Sequence, residues 1–180
     1  MNEPLLESAR RGDQQAIAEI YDGYAPAIYR YAYRRLGHQH VAQDITSQTF
    51  HRFLRALRNG GGPERNLSAW LYRVAHNLIV DHYRRRPSEP PADVEDVVLV
   101  DDEALSQEAQ LVQGQEARRV RAALQQLTPL QQQVIVLRFL EEMSIKETAS
   151  ITGKTEGAVK ALQYRGINSL RRILEEQNEA

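Results

Sequence analysis

SIKETASITGKTEGAVKALQYR, residues 144–165, is the stretch that decides the fold. Ser144 followed by Glu147 is a capping box that opens a short helix, Gly153 stops it, and Thr155 can cap a second helix. A short helix, a glycine-containing turn and a second helix make the layout of a DNA-binding helix-turn-helix. Ala149 allows the helices to approach closely, and Ile145, Val159 and Leu162 can close a core between them. With that core fixed, the helical period sends Gly157, Lys160, Ala161, Tyr164 and Arg165 to the outer face. Lys160 and Arg165 can reach guanine edges or phosphates, Tyr164 can stack or donate a hydrogen bond, and the small residues let the helix come close to DNA. A two-helix hairpin with a solvated basic face is the competing reading; capping box, turn and core spacing together favour DNA.

Working outward, Thr128-Pro129 with Gln131 opens a preceding helix whose stripe is Val134, Ile135, Leu137 and Leu140. Before it a helix runs along Leu111, Val120, Leu124 and Leu127, and the last helix of the chain extends to about Glu175. Towards the N-terminus, Asp13 can cap a helix with the stripe Ile17, Ile20, Tyr21 and Tyr24. A second follows along Ile28, Tyr31, Ala32 and Leu36 and stops at Gly37. A third carries Ile45, Thr49, Phe50, Phe53 and Leu57 and ends at Gly60-Gly61-Gly62-Pro63. From Ser68 a fourth has Leu67, Leu71, Val74 and Leu78 on its stripe. No strand pattern and no internal repeat is present. The expectation is an all-α protein of two small helical domains, residues 1–86 and 105–180, joined by an acidic, proline-containing linker at 87–104.

Charge divides the chain in the same places. Residues 1–86 hold 13 Lys and Arg against 8 Asp and Glu, and residues 118–180 hold 10 against 7. Residues 87–117 hold 9 Asp and Glu and no Lys or Arg, so the net charge of -1 conceals two basic blocks around an acidic connector. A polyanion touched by both blocks is one explanation, and solvated charged faces are the other. With no Cys among 180 residues, disulfides, thiol nucleophiles and Cys-ligated zinc are excluded. No apolar run approaches the ~20 residues of a membrane span, so no membrane insertion is expected. The N-terminus lacks the pattern of a secretory leader, and a cytoplasmic location is expected. The five histidines fall in no metal-ligand spacing, His40 and Asp44 read as a surface pair, and no nucleotide-binding or nucleophile-elbow motif occurs. Neither a cofactor nor enzymatic activity is expected.

Two blocks together carry a resemblance. LTPLQQQVIVLRFLEEMSIKETASITGKTEGAVKALQYRGINSLRRIL resembles region 4 of the small extracytoplasmic-function (ECF) sigma factors of bacterial RNA polymerase, the part that reads the upstream (minus-35) promoter element. QDITSQTFHRFLRAL is similar to their region 2.2, and LSAWLYRVAHNLIVDHYRRR to regions 2.3 and 2.4. The resemblance covers nearly the whole chain, in the right order, and implies two helical domains, core RNA polymerase and promoter DNA as partners, and an anti-sigma factor as a candidate third.

Residue by residue, the resemblance places Asp44, Ser47, Gln48, Arg52 and Arg55 on the polymerase clamp, although a Gln-Glu pair is usual where Ser47-Gln48 stands. Residues 67–86 fall where the family holds the melted downstream (minus-10) strand. Tyr72, Arg73, His76, Asn77 and Asp81, largely off the buried stripe, would face bases, and Arg84, Arg85 and Arg86 phosphates. Trp70 beside Leu71 and Val74 reads as core. Upstream-element contacts would come from Lys154, Thr155, Gly157, Lys160, Ala161, Tyr164 and Arg165, with Arg138 on the DNA backbone. The linker would thread the polymerase channels or act as a passive tether. The alternatives are a stand-alone helix-turn-helix regulator with an N-terminal sensing or dimerisation domain, and a protein-only adaptor; a regulator would bind its operator without polymerase.

Overall fold

The structure, a computed structural model, describes residues 3–85 and 107–179; Arg86 and the expected linker at 87–104 lie outside the described residues. Among the described residues eight α-helices follow one another: α1 (Glu3–Arg10), α2 (Gln14–Leu36), α3 (Gln39–Arg58), α4 (Leu67–Arg85), α5 (Gln107–Gln125), α6 (Pro129–Ile135), α7 (Ile145–Thr152) and α8 (Glu156–Glu179). A π-helical turn, Val136–Leu140, continues α6. The described residues contain no strand, as the three- and four-residue spacing requires.

Local chemistry sets most of the helix ends. The Asp13 carboxylate accepts from the backbone N–H of Gln15 at 2.9 Å and of Ala16 at 3.3 Å. Gly37 closes α2 with φ 76°, a left-handed conformation that favours glycine. Where two helices are expected between Asp13 and Gly37, one helix of 23 residues forms and runs through Pro26. Pro26 is exposed, so water can hydrate the Asp22 carbonyl that loses its donor. The α4 cap is Asn66, whose side chain accepts from the Ala69 N–H at 3.1 Å. Helix α1, unanticipated, seats Leu6 and Ala9 in the core.

The first half packs α2, α3 and α4 around Ile20, Ile28, Tyr31, Phe53, Leu71 and Ile79, all almost fully buried. Trp70 packs edge-on against Phe53, with ring centroids 5.9 Å apart. In the second half Val134, Ile135 and Leu137 are buried as their spacing predicts, as are Leu124 and Leu127 of the stripe before them, while Val120 is exposed and Ala123 is buried in its place. At Gly166 an added Cβ would stand 2.9 Å from the Ile135 side chain, so α8 crosses α6 where only glycine fits. Gly166→Val is expected to lower unfolding free energy by about 1–3 kcal/mol, the usual cost of overpacking. Denaturant titration checks this, and Ile135→Ala should restore part of the loss.

The two halves also pack on each other, through α2 against α5 and the π-turn and α4 against α7. Sequence patterning treats them as separate modules, because each has its own apolar stripes. The apolar core is continuous across them, and polar pairs such as Arg34 with Glu141 and Arg35 with Gln132 add to the contact.

Candidate nucleic-acid interface

Helix α8 is built to present a face. The Ser144–Glu147 capping box forms in both directions, at 3.1 and 2.8 Å, and sets the start of α7. Gly153 turns the chain at φ 67°, and the Thr155 hydroxyl accepts from the Ala158 N–H at 3.2 Å to start α8. Val159, Ile151 and Thr148 are buried between the helices, with Ile145 and Leu162 half-buried at the margin. Gly157, Lys160, Ala161, Tyr164 and Arg165 are all exposed along one face of α8, and Lys154 and Thr155 are exposed at its start. Tyr164 is 70% exposed, an aromatic side chain that the fold leaves outside its core. Two cations, a phenol and two small residues suit the major groove, with charge for phosphates and donors for base edges.

Arg138 is placed differently from its expected role on the DNA backbone. From the π-turn its Nε donates to the Gln163 side chain at 3.0 Å, and its guanidinium also donates to the Met143 carbonyl. Arg138 thereby ties the loop before α7 to α8, and its reach outward is reduced. Arg138→Ala is expected to weaken upstream-element binding with little change in salt dependence, whereas removal of a phosphate contact flattens the slope by about one unit. Titrations at several salt concentrations separate the two.

On α4, Asn77, Arg84 and Arg85 are open to solvent, Asp81 is half-buried, and the exposed Arg73 donates to the Ser150 carbonyl of α7 at 2.5 Å. Tyr72 and His76 depart from the expectation that they are available to bases. Tyr72 is 2% exposed, stacked edge-on with Tyr31, and donates its hydroxyl to Glu141 at 3.2 Å. His76 Nδ1 lies 2.6 Å from Arg35 Nη1. Tyr72 is covered where Glu141 of the second half meets it, and His76 is half-buried against Arg35. Sequence reasoning missed Arg34, Arg35, Gln132 and Glu141, which form the contact. Arg35 donates to the Gln132 side chain and to the Tyr31 hydroxyl, both at 3.0 Å. Arg34 and Glu141 pair at 2.6 Å.

Burial, reinforced by Arg35, holds His76 near pKa 3, so it stays neutral in the folded chain. An unfolded chain protonates its imidazole below about pH 6.5, while the folded one does not until far lower. His76 therefore favours folding fully above pH 6.5 and progressively less as pH falls. Burial raises Glu141, against the opposing pull of Arg34, and that group acts in the other direction. Comparison with His76→Gln isolates the histidine. The wild type should lose more stability between pH 8 and 5.5 than the variant, by at most about 1.4 kcal/mol per pH unit below 6.5, as read from denaturant titrations.

Asp44, Ser47, Gln48, Arg52 and Arg55 are all exposed on α3, with the Gln48 amide donating to Asp44 at 2.7 Å. Asp44, Gln48 and Arg52 line an open groove with Asp81, His82 and Arg85 of α4, so the expected polymerase face and part of the expected downstream face are neighbours.

A helix-turn-helix with an open basic face, joined to a second helical unit that carries its own polar surfaces, defines a DNA-binding transcription protein. Residues 20–89 match the family model Sigma-70 region 2, and residues 117–170 match Sigma-70, region 4. SigW of Bacillus subtilis, an ECF RNA polymerase sigma factor, is 32% identical over 94% of this chain and 94% of its own length. BldN of Streptomyces coelicolor, another, is 35% identical over 94% of this chain, which spans 64% of BldN. The chain belongs to the ECF sigma factors of RNA polymerase. CnrH, solved in complex with the cytosolic domain of CnrY, shares the fold at TM-score 0.74 and 24% identity, over 97% of both chains. RpoE of Bartonella quintana, solved with the anti-sigma factor NepR, shares it at TM-score 0.62 and 22% identity, over 88% of this chain and 96% of RpoE. No helix among the described residues is long and apolar enough to cross a membrane.

Proposed function

We propose that this chain binds core RNA polymerase through the exposed face of α3 and directs initiation at promoters whose upstream element is read by α8 and whose melted downstream strand is held along α4. The observation that carries this reading is the outer face of α8, where Lys160, Tyr164 and Arg165 stand together outside the core. The domain limits 1–86, 87–104 and 105–180 belong to the same proposal. The chain supplies promoter choice and the polymerase the chemistry, which makes it a non-catalytic subunit acting in the cytoplasm. CnrH and RpoE were each solved with a bound partner, and an anti-sigma factor is proposed for this chain too.

Promoter binding measured with and without core polymerase tests the proposal. Specific binding that requires the polymerase is expected; tight, specific binding by the chain alone at paired half-sites would support a stand-alone regulator instead.

A further inference from the structure

Helices α2 and α3 enclose an open cleft of about 370 Å³, lined by Tyr21, Asp22, Pro26 and Tyr29 of α2 and by Gln43 and Ser47 of α3. Its α2 wall is aromatic. Tyr21 meets Phe50 edge-on, with ring centroids 4.8 Å apart, yet stays 47% exposed. Tyr29 stacks on Tyr33 at 6.0 Å, which steadies its ring beside the cleft. Asp22 is exposed, and its carboxylate has no ion-pair partner among the described residues. Pro26 adds a second acceptor, because it has no N–H and leaves the Asp22 carbonyl, one turn back, without its helical donor. A proline inside a helix is costly, and α2 neither ends nor turns at this one, running on to Leu36. A carboxylate, a carbonyl freed from the helix ladder and an exposed tyrosine ring all favour one kind of ligand. A guanidinium answers all three, with charge-assisted hydrogen bonds to the oxygens and stacking on the ring. No Lys or Arg of the chain lines the cleft to fill that role.

We propose that this cleft receives an arginine side chain of core RNA polymerase, its guanidinium lying on Tyr21 and bonded to the carboxylate and carbonyl of Asp22. Ser47 belongs both to the cleft and to the exposed α3 face proposed to meet the polymerase, so the two surfaces are continuous. The inference rests on that docking reading and extends it onto α2, where sequence patterning assigns Tyr21 to a buried stripe. Pro26 is then a binding device, holding an acceptor open for the partner at a cost to the helix.

The test measures the affinity of the full chain for core polymerase. The chain contains no Cys, so a cysteine placed at exposed Asn168 of α8 carries a single fluorescent reporter. Asp22→Asn removes the charge, and Tyr21→Leu keeps an apolar side chain against Phe50 while removing the ring. Each should weaken binding about fivefold or more. Glu19→Gln, the same charge change at an exposed position of α2 outside the cleft, should not. Pro26→Ala separates binding from folding. It returns an N–H to the Asp22 carbonyl, so the thermal midpoint should rise while polymerase affinity falls about threefold or more. A proline with a merely structural role predicts no loss of affinity. A benzophenone on a cysteine at exposed Gln43, on the cleft rim, should capture a polymerase peptide that contains arginine. Replacing that arginine by alanine should weaken the wild type about fivefold and the Asp22→Asn variant hardly at all, the signature of a direct pair. Wild-type affinity in Asp22→Asn, Tyr21→Leu and Pro26→Ala, or capture of a segment without arginine, overturns the cleft proposal. Charge reversal of Arg52 and Arg55 in the same assay scores the α3 reading separately, and a wild type that does not bind polymerase overturns both.

Discussion

Replacing Lys160, Tyr164 and Arg165 together by alanine is expected to reduce upstream-element recognition by the polymerase-bound chain roughly a hundredfold or more, with the fold retained. All three side chains are exposed, while Val159, Ile151 and Thr148, which hold α8 to α7, are untouched. Each lost base contact costs about 1–3 kcal/mol and relaxes preference at one base pair, and each lost phosphate contact weakens all sequences alike. Single replacements measured against a panel of upstream variants at several salt concentrations assign the roles. Arg165 Nε also donates to the Ala161 carbonyl at 3.4 Å, within its own helix, which leaves the rest of its guanidinium free to reach outward. Unchanged preference and unchanged salt slope in the triple variant would remove α8 from DNA recognition.

The second large effect is expected at α3. Charge reversal of Arg52 and Arg55 to Glu places two carboxylates where two cations stood, on a face already carrying Asp44. Like-charge juxtaposition across an interface costs several kcal/mol, so affinity for core polymerase should fall at least about thirtyfold. Both side chains are exposed, and circular dichroism and thermal midpoint should hardly move. Undiminished polymerase binding in this variant would relocate the docking surface, whatever the state of α8.

These two surfaces were legible in the sequence for a common reason. A helical face is a local property, and once Val159 and Leu162 are assigned inward, the directions of Lys160 and Tyr164 follow from the period. Caps are local too, which is why Asp13, Thr128, Ser144 and Gly37 were each found where they act. What could not be read depends on contacts between distant residues. Tyr72 sits off the stripe of its own helix, and nothing nearby shows that Glu141, 69 positions later, accepts its hydroxyl. Arg34-Arg35 before Gly37 reads as an ordinary basic helix end, and only the packing of α6 reveals that Arg35 is buried against Gln132. Arg138 was assigned to the DNA backbone by the family resemblance alone. From the π-turn its guanidinium instead finds acceptors in the Met143 carbonyl of the following loop and the Gln163 side chain of α8. Pro26 inside α2 was missed because a proline on the exposed side of a long helix deprives only a hydrated carbonyl of its donor.

Run-off transcription with purified bacterial core polymerase on a promoter library is the most direct measurement of the central claim. Transcripts from a defined set of promoters sharing an upstream and a downstream element, present only when the chain is added and lost in the Lys160, Tyr164 and Arg165 triple variant, are the predicted result. No chain-dependent transcript from any promoter, together with failure to bind core polymerase, would contradict it.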